Sequence, residues 1–471
     1  MKKVLLINSN LEIFPYPVAP LGISLVASSL QNKYEVKVFD FANYSTDSLI
    51  NLIANYKPDF IGIGLRNIDN VTMRNCKWYL EDINNAIIIP VKNSSNVPII
   101  IGGSGFSIAP KQILEYFNVD YGIIGEAEEI FSQLLQRIEN GEGISDLKNV
   151  ISKNWQSLIK FEQHSKFLKI PHAKIDQFID FEPYKKRGSY PIQTKRGCTH
   201  KCIYCSYPNI EGRKYRLRPV NDIVDEIENV HKRIPDIPFE FVDSTFNSPL
   251  KHALNICKEI IRRNLIIKLR TMGVNPGEVT EELISLMKQA GFTQIDCTPD
   301  SASELIIKNY RKNFTKNKLI NCAQIIQKYN MPTMWFFMLG GPGETEQTIL
   351  ETFDFIDSYI YDEDMVHITE GIRILPNTEL YEIAIKEGII SEEMNVINPM
   401  FYVSPSIGKS TLTQLLEREV GKRNNVLNSI DTTPSPELMQ AAIKYRIESN
   451  IEEPMFRSLL RVQKELKQKK E

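Results

Sequence analysis

Lys195-Arg196-Gly197-Cys198-Thr199-His200-Lys201-Cys202-Ile203-Tyr204-Cys205-Ser206 is the stretch on which the reading of this chain turns. Three thiols fall within eight residues, directly after an apolar run at 191–195 with the composition of a buried strand. Thiolates are soft ligands and select zinc or an iron–sulfur cluster. A structural zinc site takes four ligands. His200 lies inside the loop between two of the cysteines, and no second cysteine pair follows nearby. Three thiolates on a four-iron cluster leave one iron open to a substrate or cofactor, which is a catalytic arrangement. Cys76, Cys257, Cys297 and Cys322 stand alone in apolar or helical stretches and read as small buried hydrophobes.

Working outward, the cysteine stretch opens a series of strand and helix patterns. Apolar runs lie at 191–195, 239–243, 266–270, 294–297, 333–339 and 366–374. Helical patterns follow at 219–233, 249–263, 279–290, 302–329 (in two pieces), 345–360 and 378–387. Six β/α units predict a partial parallel barrel over 184–390, with its site at the carboxyl ends of the strands. An earlier series has short Val- and Ile-rich runs at 4–8, 35–39, 60–65, 98–101 and 121–124, with helical patterns near 20–31, 46–56, 71–86, 110–117 and 127–139. That is an α/β, doubly wound parallel sheet of Rossmann-like type over 1–145. Its strand ends carry Ser9-Asn10, Asp40, Arg66-Asn67, Gly102-Gly103-Ser104-Gly105 and Gly125-Glu126-Ala127-Glu128, which predict a ligand shelf. No Gly-x-Gly-x-x-Gly follows the first strand, so a dinucleotide site is not expected. Residues 146–183 read as a linker holding a small hairpin (158–161 and 168–171), and 391–471 as a helical C-terminal region with a frayed, charged tail from 464.

Composition narrows the function. The chain has 471 residues, 42% hydrophobic and 24% charged, with a net charge of -2. These values exclude a largely disordered chain and argue against nucleic-acid binding. No run approaches the ~18 apolar residues of a membrane span, and the basic start Met1-Lys2-Lys3 leads into a strand and not a signal peptide. Seven cysteines are too few and too clustered for a disulfide framework, so the expectation is a soluble, reduced, cytoplasmic protein.

The Cys-x3-Cys-x2-Cys run with Tyr204 before the last cysteine resembles the signature of the radical S-adenosylmethionine (SAM) enzymes. Further segments resemble the branch of that family with a fused cobalamin-binding domain. These are Phe241-Val-Asp243-Ser244, Leu339-Gly340-Gly341-Pro342-Gly343-Glu344-Thr345 and Ile372-Arg373 through Tyr381, together with Pro20-Leu21-Gly22, Gly102-Gly103 and Gly125-Glu126-x-Glu128. The resemblance spans about 1–390. It implies a 4Fe–4S cluster on Cys198, Cys202 and Cys205 whose open iron chelates SAM, reductive cleavage of SAM to a 5′-deoxyadenosyl radical, and an electron donor such as a flavodoxin or ferredoxin. It implies SAM contacts from Tyr204, Asp243, Ser244, Arg270, Ser301, Gly340, Gly341, Gly343, Glu344 and Arg373. For cobalamin it implies Arg66, Gly103, Ser104, Gly125 and Glu126. Departures are informative. Asp243-Ser244 stands where many members have Gly-Gly-Glu. All six histidines (164, 172, 200, 231, 252 and 367) lie outside 1–145, so the cobalt-ligating Asp-x-His-x-x-Gly motif is absent there.

The activity implied is methylation of an unactivated carbon of a small molecule, lipid or peptide. A cobalamin-dependent cyclase or rearrangement enzyme shares every cofactor motif. A non-catalytic cobalamin or iron–sulfur binding protein is the alternative of a different class. A methylthiotransferase is disfavoured, because the first 145 residues hold only Cys76 where that group binds a second cluster.

Overall fold

The computed structural model describes residues 1–13, 16–153, 170–395, 397–428 and 434–468. The first sheet has β1 (Lys3–Asn8), β2 (Glu35–Asp40), β3 (Phe60–Gly64), β4 (Ile99–Gly102), β5 (Tyr121–Ile123) and β6 (Val150–Ser152), in spatial order β2-β1-β3-β4-β5-β6. The first five are parallel and β6 is antiparallel to β5. β1, β3 and β4 are buried on both faces, as their continuous Val/Ile runs predict. The order reverses between β1 and β3, which opens a crevice beyond their carboxyl ends. β6 corrects the linker reading: its three residues complete the first sheet. The hairpin expected at 158–161 and 168–171 lies outside the described residues, apart from its last two positions.

The expected helix at 71–86 differs as well. Residues 67–78 form an irregular excursion, and the helix starts at Tyr79. Asx-type bonds explain this: Asp69 Oδ1 accepts from the Val71 N–H (2.8 Å), and Asn70 Oδ1 accepts from the Lys77 N–H (3.0 Å). The helix then continues past Pro90 through one π-helical turn, Asn84–Ile88. Proline brings no N–H there, and the Thr46 hydroxyl donates to the Ala86 carbonyl at 2.9 Å.

The second series gives β7 (Tyr190–Ile192), a two-residue pair β8 (Lys195–Arg196) and β9 (Arg216–Leu217), then β10 (Phe239–Phe241), β11 (Leu269–Thr271), β12 (Ile295–Asp300), β13 (Thr333–Leu339) and β14 (Met365–Glu370). β15 (Ile372–Arg373) pairs with β16 (Phe401–Tyr402), and β17 (Val426–Asn428) lies parallel to β14. The parallel wall runs β7-β10-β11 and β12-β13-β14-β17, with single bridges Leu269↔Phe292 and Val274↔Cys297 linking its halves. The region after 390 is mostly helical, yet it adds a seventh strand to this wall. Three residues are too short for any periodicity to reveal. Helices in both series start where sequence signals place them: Ser45, Thr280, Thr315, Thr345 and Thr378 each accept a backbone N–H three residues on.

One core lies between the barrel strands and their helices, with Phe241, Phe246 and Phe292 mutually packed. Ala19 and Leu25 from the first domain join it, so the two halves share buried surface. Cys257, Cys297 and Cys322 are fully buried within it, as expected. Cys76 is only half-buried, beside Asp69 and Arg373.

Candidate active site

The cysteine loop leaves β8 through Gly197, whose φ of +87° and approach to the Lys214 carbonyl (2.1 Å from a notional Cβ) admit only glycine. Backbone bonds then fix the loop. The Cys198 N–H donates to the Gly212 carbonyl (2.9 Å), and the Cys205 N–H to that of Cys202 (3.2 Å). The three thiols are unpaired and converge closely enough to perturb one another. Burial lifts the Cys198 thiol and pushes Cys205 up to about 12, and in each case Cys202 adds to the rise. Three neighbouring thiols, two of them raised in this way, are a donor set that fits a soft, positively charged metal centre. His200 is tied elsewhere: its Nε2 stands 3.2 Å from both Ser248 Oγ and Asn275 Nδ2.

Tyr204 does not project into open space. Its hydroxyl donates to Asp300, which also takes the Lys312 ammonium at 2.6 Å. Burial opposes the Lys312 charge, but Asp300 and the Cys202 and Cys205 sulfurs outweigh it and hold the pKa above that of a free lysine. Lys312 therefore stands beside the thiols. Nothing in its surroundings, Tyr310-Arg311-Lys312-Asn313, signals that in the sequence.

Several residues expected at SAM have other partners. Asp243 is saturated: it accepts from the Thr194 N–H (2.8 Å) and hydroxyl (2.5 Å), and from the Lys195 N–H (3.2 Å) and ammonium (3.1 Å), with both charged side chains buried. It anchors the strand that leads into the cysteine loop. Ser301 Oγ accepts from the Ser303 N–H (3.2 Å) and stands 3.4 Å from Thr352 Oγ1. Arg373 donates to Asp69 (2.7 Å) and to the Ile374 carbonyl (2.6 Å) and is buried. Arg270 pairs with Glu240 at 2.9 Å. Glu344 is fully buried and folds its own turn, accepting from the Gly340 N–H (2.9 Å) and the Thr348 hydroxyl (3.1 Å). The helix cap is Thr345. Gly340, Gly341 and Gly343 admit Leu412, Tyr310 and Asn309 at 2.6, 2.2 and 2.5 Å from a notional Cβ, so their small size serves packing. Ser244 differs: it is near enough to Cys198 to ease that thiol's rise, while its buried hydroxyl makes no geometric hydrogen bond.

The first domain's expected contacts divide similarly. Glu126 binds Arg216, and Glu128 binds Arg196, so both acids clamp the sheet to the β8–β9 pair. Gly103 (φ +100°) lets its loop meet the Leu65 carbonyl, and the Ser104 hydroxyl donates to the Arg66 carbonyl at 2.8 Å. The Gly125 N–H donates to Ser107 Oγ at 2.8 Å. Arg66 remains open. It lines a shallow, solvent-open recess at the β1/β3 crevice with Ser9, Asn10, Leu11, Asn67, Tyr79 and Ile83. Among the described residues no carboxylate pairs with it. Tyr207 joins the two halves. Burial lifts its hydroxyl to about 12, and both Cys205 and Arg66 act on it. Yet 45% of its surface is solvent-accessible. Its turn, Tyr207–Ile210, packs against the turn Ser104–Ile108 of the first domain, so the segment after the thiols meets the first sheet's loops.

Comparison with known proteins agrees with this architecture. The family model for the B12 binding domain matches residues 10–135, and that for the radical SAM superfamily matches 192–356. Residues 192–356 thus form a radical SAM domain, and residues 10–135 a B12 binding domain. As a radical SAM protein with a B12-binding domain, it is 23% identical to the tryptophan 2-C-methyltransferase of Streptomyces laurentii over 447 residues, covering 79% of this chain and 73% of that one. An uncharacterized methyltransferase of Pyrococcus horikoshii is also 23% identical, covering 79% of each. The radical SAM methyltransferase TsrM from Kitasatospora setae, solved with cobalamin and a [4Fe-4S] cluster bound, superposes with a TM-score of 0.80. Identity is 19%, over 99% of this chain and 100% of that one. That likeness establishes the common fold. No helix among the described residues is long and apolar enough to cross a membrane.

Proposed function

We propose that this radical SAM enzyme is a cobalamin-dependent methyltransferase acting on an unactivated carbon of a small molecule, lipid or peptide. The observation that carries the proposal is the turn Tyr207–Ile210, which directly follows the cysteine loop and packs on Ser104–Ile108 of the first domain, with Cys205 and Arg66 both near enough to act on Tyr207. The cysteine loop and the first sheet's loops thus lie next to one another, as two cofactors serving one carbon require. Cys198, Cys202 and Cys205 would hold the cluster, and the crevice with Arg66, Ser9 and Asn10 would face the corrin. When bound, the cluster supplies the electron that opens a C–S bond of SAM, and cobalamin supplies a methyl carrier.

The chain's own residues position and shield this chemistry. Asp243 pins Lys195 and Thr194 so that the thiols leave a rigid strand end. The buried Ser244 hydroxyl lies beside Cys198, where SAM would bind. The clamps Glu126–Arg216, Glu128–Arg196 and Asp69–Arg373 hold the two halves together and limit water entry. An external reductant such as a flavodoxin or ferredoxin would supply the electron, and the free thiols are compatible with a reducing compartment such as the cytoplasm.

The test is anaerobic reconstitution with iron, sulfide and hydroxocobalamin, followed by SAM and dithionite. Bound cobalt, about four irons per chain and release of 5′-deoxyadenosine are expected. A chain that binds iron but no cobalt overturns the cobalamin assignment. A product without added methylene mass overturns methyl transfer in favour of cyclisation or rearrangement.

A further inference from the structure

The barrel is hollow, and its lining has chemistry that the cofactors do not use. Burial along β13 alternates strictly. Thr333, Trp335, Phe337 and Leu339 are buried beneath the helices, while inward-facing Met334, Phe336 and Met338 are half-exposed. β12 does the same, with Cys297 buried outward and Asp296 and Thr298 half-exposed inward. A filled barrel would bury both sets. The lower end is closed by the helix Met455–Gln468, whose Phe456 and Leu460 pack on Met334 and Met365. The other end opens toward Tyr16, which reaches in from the first domain. The Tyr16 ring lies 4.4 Å beneath the Arg270 guanidinium, and Arg66 acts on its hydroxyl.

The charges in this lumen do not balance. Arg270 is neutralised by Glu240 at 2.9 Å. Asp296 faces Glu240 from β10, Arg270 from β11 and Met334 from β13. Its recorded hydrogen bond is a long one of 3.5 Å, from the Gln294 amide. Among the described residues no cation pairs with it. Burial, reinforced by Glu240, raises its carboxyl to about 7. A second polar group also lacks a partner. His367 is 8% exposed, stacks on inward-facing Phe336 (centroids 4.9 Å apart, planes at 9°), and its Nε2 has no hydrogen-bond partner. Burial lowers its pKa to about 4, so the ring is neutral. Wanted here is a ligand that brings a positive charge to Asp296, a polar atom to His367 and an apolar face to Phe336 and Met338.

We propose that the lumen is the substrate site and that Asp296 receives a protonated amine of the substrate, with His367 and Phe336 forming the opposite wall. The proposal rests on the methyltransferase reading and names its substrate class: an amine carried on an apolar or aromatic body.

The test uses matched probes on the reconstituted enzyme: tryptamine and phenethylamine against tryptophol and 2-phenylethanol, which exchange the ammonium for a hydroxyl. Titration calorimetry near pH 8 should favour the amines by about tenfold or more, with most of the preference lost near pH 6 where Asp296 is protonated. Asp296→Asn should abolish the preference at both pH values, and Asp296→Glu should keep it, which separates lost charge from lost fold. Equal binding of amines and alcohols by the wild type, no amine binding at millimolar concentration, or a preference that survives in Asp296→Asn overturns the proposal. So does a loss confined to SAM affinity, which would assign Asp296 to the SAM amine. Wild-type cleavage of SAM without any probe is the separate check on the methyltransferase reading: if that fails, the enzyme assignment falls, and if only the amine preference fails, the substrate class falls.

Discussion

The cysteine loop and the glycine turn at 340–344 both follow barrel strands, and both carry residues that suggest ligand binding. Their outcomes are opposite. Cys198, Cys202 and Cys205 form no disulfide and are held close together, with burial raising the Cys198 and Cys205 thiols. Glu344 finds two donors within four residues, and its glycines are filled by Tyr310, Leu412 and Asn309. The difference teaches that a motif residue is free for a ligand only where the fold leaves its bonding capacity unspent. Arg66 and Asp296 meet that condition; Asp243, Arg373 and Glu126 do not.

The sharpest way to break the comparison is Cys198→Ala. Iron content and SAM cleavage should both fall by about two orders of magnitude or more, while helical circular dichroism is retained. Retained iron would mean that the thiols are not the ligands. Next is the buried pair Asp69–Arg373. Removing either partner should cost about 3–5 kcal/mol in a denaturant melt, and the double variant less than the sum. SAM affinity of the folded fraction should not change, whereas a selective loss of SAM affinity in Arg373→Ala would restore it as a cofactor ligand.

A smaller effect is expected from pH at Glu344. Burial raises its carboxyl from 4.5 to about 7, so the folded chain holds that proton more tightly than the unfolded chain. Its contribution is complete below the unfolded value and is lost as pH rises through about 7. Relative to Glu344→Gln, the wild type should lose roughly 2–3 kcal/mol of stability over that rise. A pH-independent gap would show an ordinary, solvent-facing carboxylate. Smallest is Tyr207: substitution by Ala should weaken hydroxocobalamin binding about three- to tenfold through lost ring contact, with Tyr207→Phe near wild type. An unchanged affinity would remove Tyr207 from the cobalamin site.

Much of the fold was legible because its signals are local. Alternating apolar runs and Ser/Thr caps mark the strands and helices of both series within a few residues. β6 and β17 were not legible, since three residues carry no period and their pairing partners lie far off in sequence. The helix expected from 71 failed for a different reason: Asp69 and Asn70 spend their side chains on local turns, and Arg74 is drawn to Glu370 and Glu417 of the barrel half. In the site, the three cysteines were readable because nothing but a soft metal explains their spacing. Lys312 was not, because an isolated lysine after a helix looks like any solvated one.

By itself the sequence determined the two β/α series, their order and the thiol loop at the head of the second. Hydrophobic period, helix caps and cysteine spacing are written in neighbouring residues. Tertiary structure alone decided which polar side chains remain available. Asp243 lies just beyond β10 and Asp296 near the start of β12, both in the same barrel, and no local pattern tells which one is paired. One meets Lys195 and is neutralised; the other faces a lumen whose arginine, Arg270, is already paired with Glu240. Charge balance in a low-dielectric interior depends on residues brought together from distant segments, and only the folded chain brings them there.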